Sequence, residues 1–580
     1  MELIKGNRED NLGQNWQRIV ACALATQMIC VAPALAQTAS QLAPPLPAEP
    51  LKPGLAPVLP PDRPPQPFVN LDGLFKIDQA DLRVENIPPG LTKVTQALLA
   101  PHQAQPLLSA DAAKLGVALE RTYAGAGFIL ARVSLVPPSP DRPNQLKFRV
   151  ISGFIERVDV EGLSPRVRAR AKRLLVSVTR QPWLTASTLN RKLLLINELP
   201  GVSVSAVLAK GVEFGGAVLV VRGRADGLHA TAGAANTLGA NLDRINSNLA
   251  LESDDLLGQG EQAVIQASGD FGYHVLTTDP RFRALVAQLS APVFEDGLKF
   301  DLSFIDVSNH PITPVNSPPF MTSFEKLSLG LSYPFILAPT GSVSGAVTLD
   351  AQTDRRRLAT TPKVDIDLDQ TRVLRTRLDF INRAAPFNGV VWAQVQQSFG
   401  LDGFGAHNPN EASVFRPLSR QGADTRFWAT EASWLWRQPL PFGVTLNDTG
   451  KAQTSYGQPL LRSEQIGLTG VDALTVFTDG TLQGDYGFET RLEQSTNHVL
   501  WGQAISPYIF EAVGGMGACK PTAVERAYVR VAAGGIGVRA SLLLPFHQEL
   551  AVNAELGGGW RSDRIPTKNR LTLAITKRLF

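Results

Sequence analysis

From Leu228 to Phe580, apolar and polar residues alternate in short runs such as Leu298–Ile305 and Lys326–Tyr333. Gly, Asn, Asp and Pro clusters separate the runs, and no helical period is sustained. Strict alternation predicts strands with one apolar and one polar face. A strand of that kind suits a transmembrane β-barrel, lipid on one side and lumen on the other, and averages to near-zero hydropathy. At a strand, a short turn and a longer loop per unit, the stretch holds about 14–18 strands, and an even count of sixteen is expected. A large soluble sandwich or propeller is the rival, but no blade-length repeat is visible.

Ahead of that region the period changes. Residues 68–153 show a strand-like entry, a helical run over Ser109–Tyr123, a β-run over Gly127–Leu135, a proline break at Pro137–Pro143 and a second β-run at Leu146–Val150. Residues 154–227 repeat the theme: a strand at Ile155–Val160, a helix capped by Ser164 with Pro165 at its first position, a helix at Ala186–Leu199, and strands at Val202–Leu208 and Ala217–Val221. Both units read as small β-α-α-β-β domains. Between Pro44 and Pro67 stand 11 prolines, a semi-rigid polyproline II spacer or a ligand for a proline-binding domain, so residues 37–67 form a linker.

The first 36 residues combine a polar stretch carrying Lys5, Arg8 and Arg18, a short apolar run at Ile19–Ala32 and the small-x-small pattern Ala34-Leu35-Ala36. They read as a signal peptide, too short in its apolar part for an anchor. Cys22 and Cys30 leave with it, so Cys519 has no intramolecular disulfide partner. A lipoprotein reading of Cys22 fails because Arg18 leaves no apolar run ahead of it.

Composition narrows the classes further. The chain has 580 residues, 19% charged, with net charge +4 and a mean hydropathy of -0.01, and no long apolar run follows the first 36 residues, which excludes a polytopic helical transporter. Six of the eight Trp (Trp392, Trp428, Trp434, Trp436, Trp501, Trp560) fall in the alternating region, as interfacial girdles require. The phase of Leu571, Leu573 and Ile575 puts the terminal Phe580 on the opposite face unless a bulge intervenes near Lys577. The seven His are scattered, and no metal-ligand spacing, nucleophile elbow or phosphate loop stands in context, so no cofactor, metal or enzymatic activity is expected. Gly534-Gly535-Ile536-Gly537 precedes an alternating strand and reads as tight strand packing. The densest charge run, Arg166, Arg168, Arg170, Lys172 and Arg173, is either a docking face for an extended substrate or anionic lipid, or a solvated helix face; neither nucleic acid nor nucleotide is expected as a partner.

The pieces together resemble an outer-membrane transporter of two-partner secretion, the haemolysin and filamentous-haemagglutinin secretion/activation family. Tyr123, Gly127, Phe128 and Ala131–Val133 are similar to the core of a first polypeptide-transport-associated (POTRA) domain, and Val150–Ile155 to its exit. Leu189–Val202, with Leu199-Pro200-Gly201-Val202, resembles the helix end of a second. Asn236–Gly239 and Asp255–Gly260 are similar to a first barrel hairpin, and Tyr333-Pro334-Phe335 to a mid-barrel strand end. The resemblance implies a sixteen-stranded transmembrane barrel preceded by two small α+β POTRA domains, in the outer membrane of a Gram-negative bacterium, exporting a secreted partner protein with an N-terminal secretion domain. An outer-membrane assembly factor and a relaxed passive pore are the alternatives.

The most informative match runs from Ser463 through Gly470, Leu474–Phe477, Gly484, Asp485, Gly487 and Glu493. It resembles a conserved loop folded into the lumen, with Leu474, Thr475, Val476 and Phe477 where the family has Val-Arg-Gly-Tyr. The arginine is replaced by Thr475. On the facing strand Phe510 is kept, and Ala512 stands where the family's pairing aspartate belongs; Glu511 points to the other face. The resemblance therefore implies a loop held by hydrogen bonds and packing alone, or not held, and one tightened by Thr475→Arg combined with Ala512→Asp but destabilised by either change alone. Many members also plug the pore with an N-terminal helix, whereas Gln37–Leu42 is too short to span it as a stable helix.

Overall fold

The computed structural model describes residues 37–45, 75–270, 280–314, 317–360, 363–470, 473–523, 525–544, 548–567 and 569–579; the first 36 residues, on which the signal-peptide expectation falls, most of the proline run and Phe580 lie outside them.

The first domain comprises β1 (Lys76–Ile77), β2 (Asp81–Glu85), a helix at Thr92–Leu99, β3 (Leu107–Leu108), a helix at Ser109–Gly125, β4 (Arg132–Val136) and β5 (Gln145–Ile151). Its sheet has the order β2-β5-β4, with β2 parallel to β5. The long helix buries Leu115, Leu119 and Tyr123 against Leu146 and Phe148. Two details differ from the sequence expectation. The helix Thr92–Leu99 was invisible because only Thr95 and Leu99 of its two turns are buried, too few to set a period. The β-run expected from Gly127 starts at Arg132, since Gly127 takes φ +97° and turns the chain first. Tyr123 is fully buried and its hydroxyl lies 3.1 Å from that of Thr95. Tyr123→Phe strands the Thr95 hydroxyl and is expected to lower the domain's stability by about 1–3 kcal/mol, read from Trp183 fluorescence in urea, because Trp183 packs on this core.

The second domain runs β6 (Phe154–Glu161), helices at Pro165–Val176 and Ala186–Asn197, β7 (Val202–Lys210) and β8 (Gly216–Ala225), in sheet order β6-β8-β7. Ser164 caps the first helix as expected, its Oγ accepting from Val167 N–H. Phe128 and Trp183 meet edge to face at 5.9 Å across the two domains.

The remainder closes on itself. The strands are β9 (Leu228–Ala235), β10 (Asn246–Asp254), β11 (Gln262–Asp270), β12 (Phe282–Pro292), β13 (Lys299–Asn309), β14 (Phe320–Ala338), β15 (Gly341–Leu358), β16 (Val364–Ala385), β17 (Gly389–Gly400), β18 (Trp428–Pro439) and β19 (Val444–Thr454). After a small hairpin, β20 (Ile466–Gly467) and β21 (Gln483–Gly484), come β22 (Tyr486–Thr496), β23 (His498–Leu500), β24 (Gln503–Gly517), β25 (Tyr528–Leu544), β26 (Gln548–Arg561) and β27 (Arg570–Arg578). Every neighbour in the barrel pairs antiparallel and β27 returns to β9. With β22 and β23 running as one strand against β24, the barrel has 16 strands, the expected number.

Its outer face is apolar. Leu249, Leu251, Leu329, Leu331, Leu378 and Ile509 are exposed, as lipid-facing positions are in a transmembrane barrel. Trp436 and Trp501 stand outward near the rim that faces the small domains, Trp428 and Trp560 near the opposite rim, so four of the six tryptophans mark two levels. Leu571, Leu573 and Ile575 are outward too, and the pairing of β27 with β26 shows no register shift through Lys577. The bore is filled by residues 455–470 and 473–485 of the connection from β19 to β22, and by residues 37–45.

Candidate functional site

The connection between β19 and β22 leaves the rim opposite the small domains and descends into the bore. Asp485, the last residue before β22, holds its return. Its carboxylate is fully buried and accepts hydrogen bonds from Leu460 N–H (3.1 Å), Gln465 Nε2 (3.1 Å), Cys519 N–H (2.6 Å) and the Arg420 guanidinium. Arg420 comes from the connection between β17 and β18 and also pairs with Glu525 (2.9 Å). A carboxylate with that many donors is satisfied in a dry site, where an unpaired one costs several kcal/mol. Gly484 and Gly487 lie flat against β24: a β-carbon would stand 2.8 Å from Gly517 O and 2.6 Å from Gly515 O, respectively.

The descending arm is ion-paired. Arg462 reaches Asp367 at 2.6 Å, and Glu464 takes Arg375 (2.9 Å) and Gln352 (2.8 Å), with Arg375 also on Asp350 (2.7 Å). These wall residues sit on the lumenal face of β15 and β16 and were not singled out from the sequence. The signal was present as polar and charged residues at alternating positions, Asp350, Gln352 and Asp354, then Asp365, Asp367 and Asp369, which a lipid-facing register cannot carry.

At the turn of the loop the chemistry changes. Leu474 and Phe477 pack with Ala512, Met516, Val529 and Val531, and Val476 with Tyr508 and Phe510. The structure thus brings the loop tip onto Phe510 and Ala512, and Glu511 faces outward as expected. Arg570 Nη1 donates to Phe477 O at 2.8 Å. Thr475 donates its hydroxyl to Glu555 and accepts from Arg491 Nη1 at 3.1 Å. The tip carries no charge and is held by packing and hydrogen bonds; the expectation that these hold the whole loop is corrected by the ion pairs of its arms.

The N-terminal segment, expected as part of the linker, enters the bore. Among the described residues no helix spans the bore, yet Gln37–Pro45 lies in it, with one 3-10 turn at Ser40–Leu42. Ala39 N–H donates to Thr322 Oγ1 (2.8 Å), Ser40 Oγ to Asp354 (2.7 Å) and Asn309 Nδ2 to Gln37 O (2.9 Å), while Gln37 and Gln41 donate to Asp479 O and Gln483 of the loop. Ala39 and Leu42 join a cluster with Leu238, Leu242, Phe282 and Val307. A short peptide too weak to hold a helix alone is stable here because the wall and loop satisfy its backbone.

The basic helix of the second domain faces the barrel. Arg166 donates to Leu256 O (2.9 Å) and Arg170 to Gln259 O (2.7 Å) in the turn between β10 and β11, and Arg173 pairs with Glu295 (3.4 Å) in the turn between β12 and β13. Arg170 is buried, and desolvation pulls its pKa below the usual arginine range. Arg168 bonds back to Leu163 O, and Lys172 is exposed. Arg191 from the following helix reaches Pro334 O (2.9 Å) and Tyr333 (3.2 Å). Three of the five basic residues thus fasten the domain to the barrel, the fixed face rather than a free one. Arg170→Ala removes a charge-assisted bond worth about 1.5–3 kcal/mol and is expected to speed proteolytic release of the two domains from the intact barrel.

A barrel whose bore is filled by its own tethered loop, with two α+β domains fastened beneath it, is a transmembrane barrel with a resident obstruction. The sequence comparison is narrower still: residues 215–540 match the model of the haemolysin secretion/activation proteins ShlB/FhaC/HecB, and the chain belongs to that family. Among solved structures it is similar to CdiB from Escherichia coli (16% identity, 90% of this chain and 94% of that one, TM-score 0.71) and CdiB from Acinetobacter baumannii (12% identity, 97% and 98%, TM-score 0.62). No curated protein matches its sequence. The two small domains are POTRA domains and stand in the periplasm.

Proposed function

We propose that this protein carries one large secreted partner across the outer membrane. The observation that supports this reading best is the bore itself: it is occupied by a loop that is anchored by ion pairs at its arms and by an uncharged, releasable tip, a path that is shut but able to open. A permanently open pore fits less well, because both the loop and residues 37–45 fill the lumen.

The expected mechanism starts at a POTRA sheet edge. β7 is the terminal strand of the order β6-β8-β7, and an unfolded segment of the partner adds to it by main-chain bonds. With the basic helix fixed to the barrel, an edge strand is left as the receiving surface beside the mouth. The partner then passes through the bore and folds outside, which supplies the direction of transport without nucleotide.

Mass spectrometry of culture medium and of surface-shaved proteins, from the native strain and from one lacking this gene, tests the reading. One large protein is expected to vanish from both fractions and to accumulate or be degraded in the periplasm. Unchanged fractions overturn it; the barrel then serves as a pore or an assembly factor.

A further inference from the structure

The loop tip ends on a charge pair that belongs entirely to the wall. Arg491 on β22 and Glu555 on β26 are both buried, and their nearest atoms are 2.6 Å apart. Around them stand Tyr508, whose hydroxyl donates to Glu555 (3.0 Å), Phe510, whose ring lies 3.8 Å beneath the Arg491 guanidinium, and Glu493, which lies 3.4 Å from Arg491 and takes Arg539 at 2.8 Å. Only one polar side chain of the tip enters this set. Thr475 inserts its hydroxyl between the two charges, donating to one and accepting from the other; Arg491 also reaches Ala473 O at 3.4 Å.

We infer that Arg491 and Glu555 are the positioning residues of the lumenal loop, a wall-borne charge pair that latches the tip through the Thr475 hydroxyl. The inference rests on the transport reading for its purpose, but the latch itself is a property of the folded barrel. Its physical consequence is specific. When the tip withdraws, Arg491 and Glu555 keep each other, so neither is left unpaired in a dry site, and Leu474–Phe477 carry no charge away with them. Release costs the two hydroxyl bonds, the backbone contacts of Arg570 with Phe477 O and of Arg491 with Ala473 O, and the packing of Leu474, Val476 and Phe477. A hydroxyl is the group that can serve both ions at once, being donor and acceptor together. Arg491 already donates to Thr475, so Thr475→Arg, alone or with Ala512→Asp, sets a second guanidinium beside the first and is expected to loosen the loop.

Single-channel recording of the purified full-length protein in planar bilayers reads the latch, with protease cleavage in the loop as a second measure and the heat-modifiable gel band as the control for a folded barrel. Thr475→Val, which keeps the shape and removes the hydroxyl, is expected to raise the frequency of open events about tenfold; Thr475→Ser is expected to stay within about twofold of the parent. Thr475→Arg opens the channel, and Thr475→Arg with Arg491→Thr, which returns the guanidinium to the loop side of Glu555, restores the parent frequency. In a Glu555→Met, Arg491→Met background, which removes both partners of the Thr475 hydroxyl, the Thr475→Val effect disappears. Equal behaviour of Thr475→Val and the parent, or an undiminished Thr475→Val effect in that background, overturns the inference. If the Arg491 variants do not fold, the Val and Ser pair at 475 decides alone. Export of a partner by the native strain is scored separately: latch variants that gate as expected in a strain with no exported protein leave the latch standing and remove the transport reading.

Discussion

Asp485→Ala unseats the return arm of the lumenal loop. The substitution leaves Arg420 buried with one of its two carboxylates and strips acceptors from Leu460 N–H, Gln465 and Cys519 N–H. Breaking a buried ion pair by removing one partner costs about 3–5 kcal/mol, and Glu525, which stays beside Arg420, holds the loss toward the lower figure. The gel band of the folded barrel is expected to convert to the unfolded position at a markedly lower temperature, and protease is expected to cut within residues 455–485. Asp485→Asn keeps an acceptor for the backbone donors and is expected to fall between the two. Unaltered conversion in Asp485→Ala contradicts the role of this carboxylate.

Gly557→Val has the second largest expected effect, and through space alone. Gly557 on β26 faces the loop tip: a β-carbon there stands 2.7 Å from Val476 Cγ2 and 3.0 Å from Phe510 Cζ. The neighbouring Gly559 meets Phe477 in the same way, its β-carbon 2.8 Å from Cζ. Overfilling a packed site costs about 1–3 kcal/mol, and here the loop is the part able to move. The tip is expected to lift, loop cleavage to accelerate and the barrel to remain folded. Val476→Ala makes room for the new side chain, so Gly557→Val should cost less in that background. An equal cost in both backgrounds shows that the clash lies with the wall and not with the tip.

How much of this was legible in the sequence depends on the kind of residue. Alternation over Leu228–Phe580 revealed the barrel and its strand number because a transmembrane strand has no choice of face. The POTRA domains were legible where a long helix met a strand, as at Ser109–Tyr123, and not where a helix had two buried positions, as at Thr92–Leu99. The loop was found through Leu474–Phe477, Gly484, Asp485 and Gly487, whose spacing survives. Its partners were not. Arg491 and Glu555 are 64 residues apart, and only the closure of β22, β24, β25 and β26 side by side brings them together. The loss of a loop arginine was visible at Thr475, but the presence of Arg491 on the wall behind it was not, so tightening was expected of Thr475→Arg and Ala512→Asp made together, without account of the guanidinium already there. The glycines Gly534, Gly535 and Gly537 read as tight strand packing; that Gly557, opposite Gly535, and Gly559, opposite Ala533, cradle the loop tip follows from strand register, which no local pattern encodes.

The central claim is that a polypeptide passes through this bore. A photoreactive amino acid at Lys326, which faces the lumen beside Asp350 at 2.9 Å, tests it in the native strain. Irradiation during growth is expected to join the barrel to one large protein, the same one lost from the surface when the gene is absent. A folded, membrane-inserted barrel that captures nothing while that protein still reaches the surface contradicts the account.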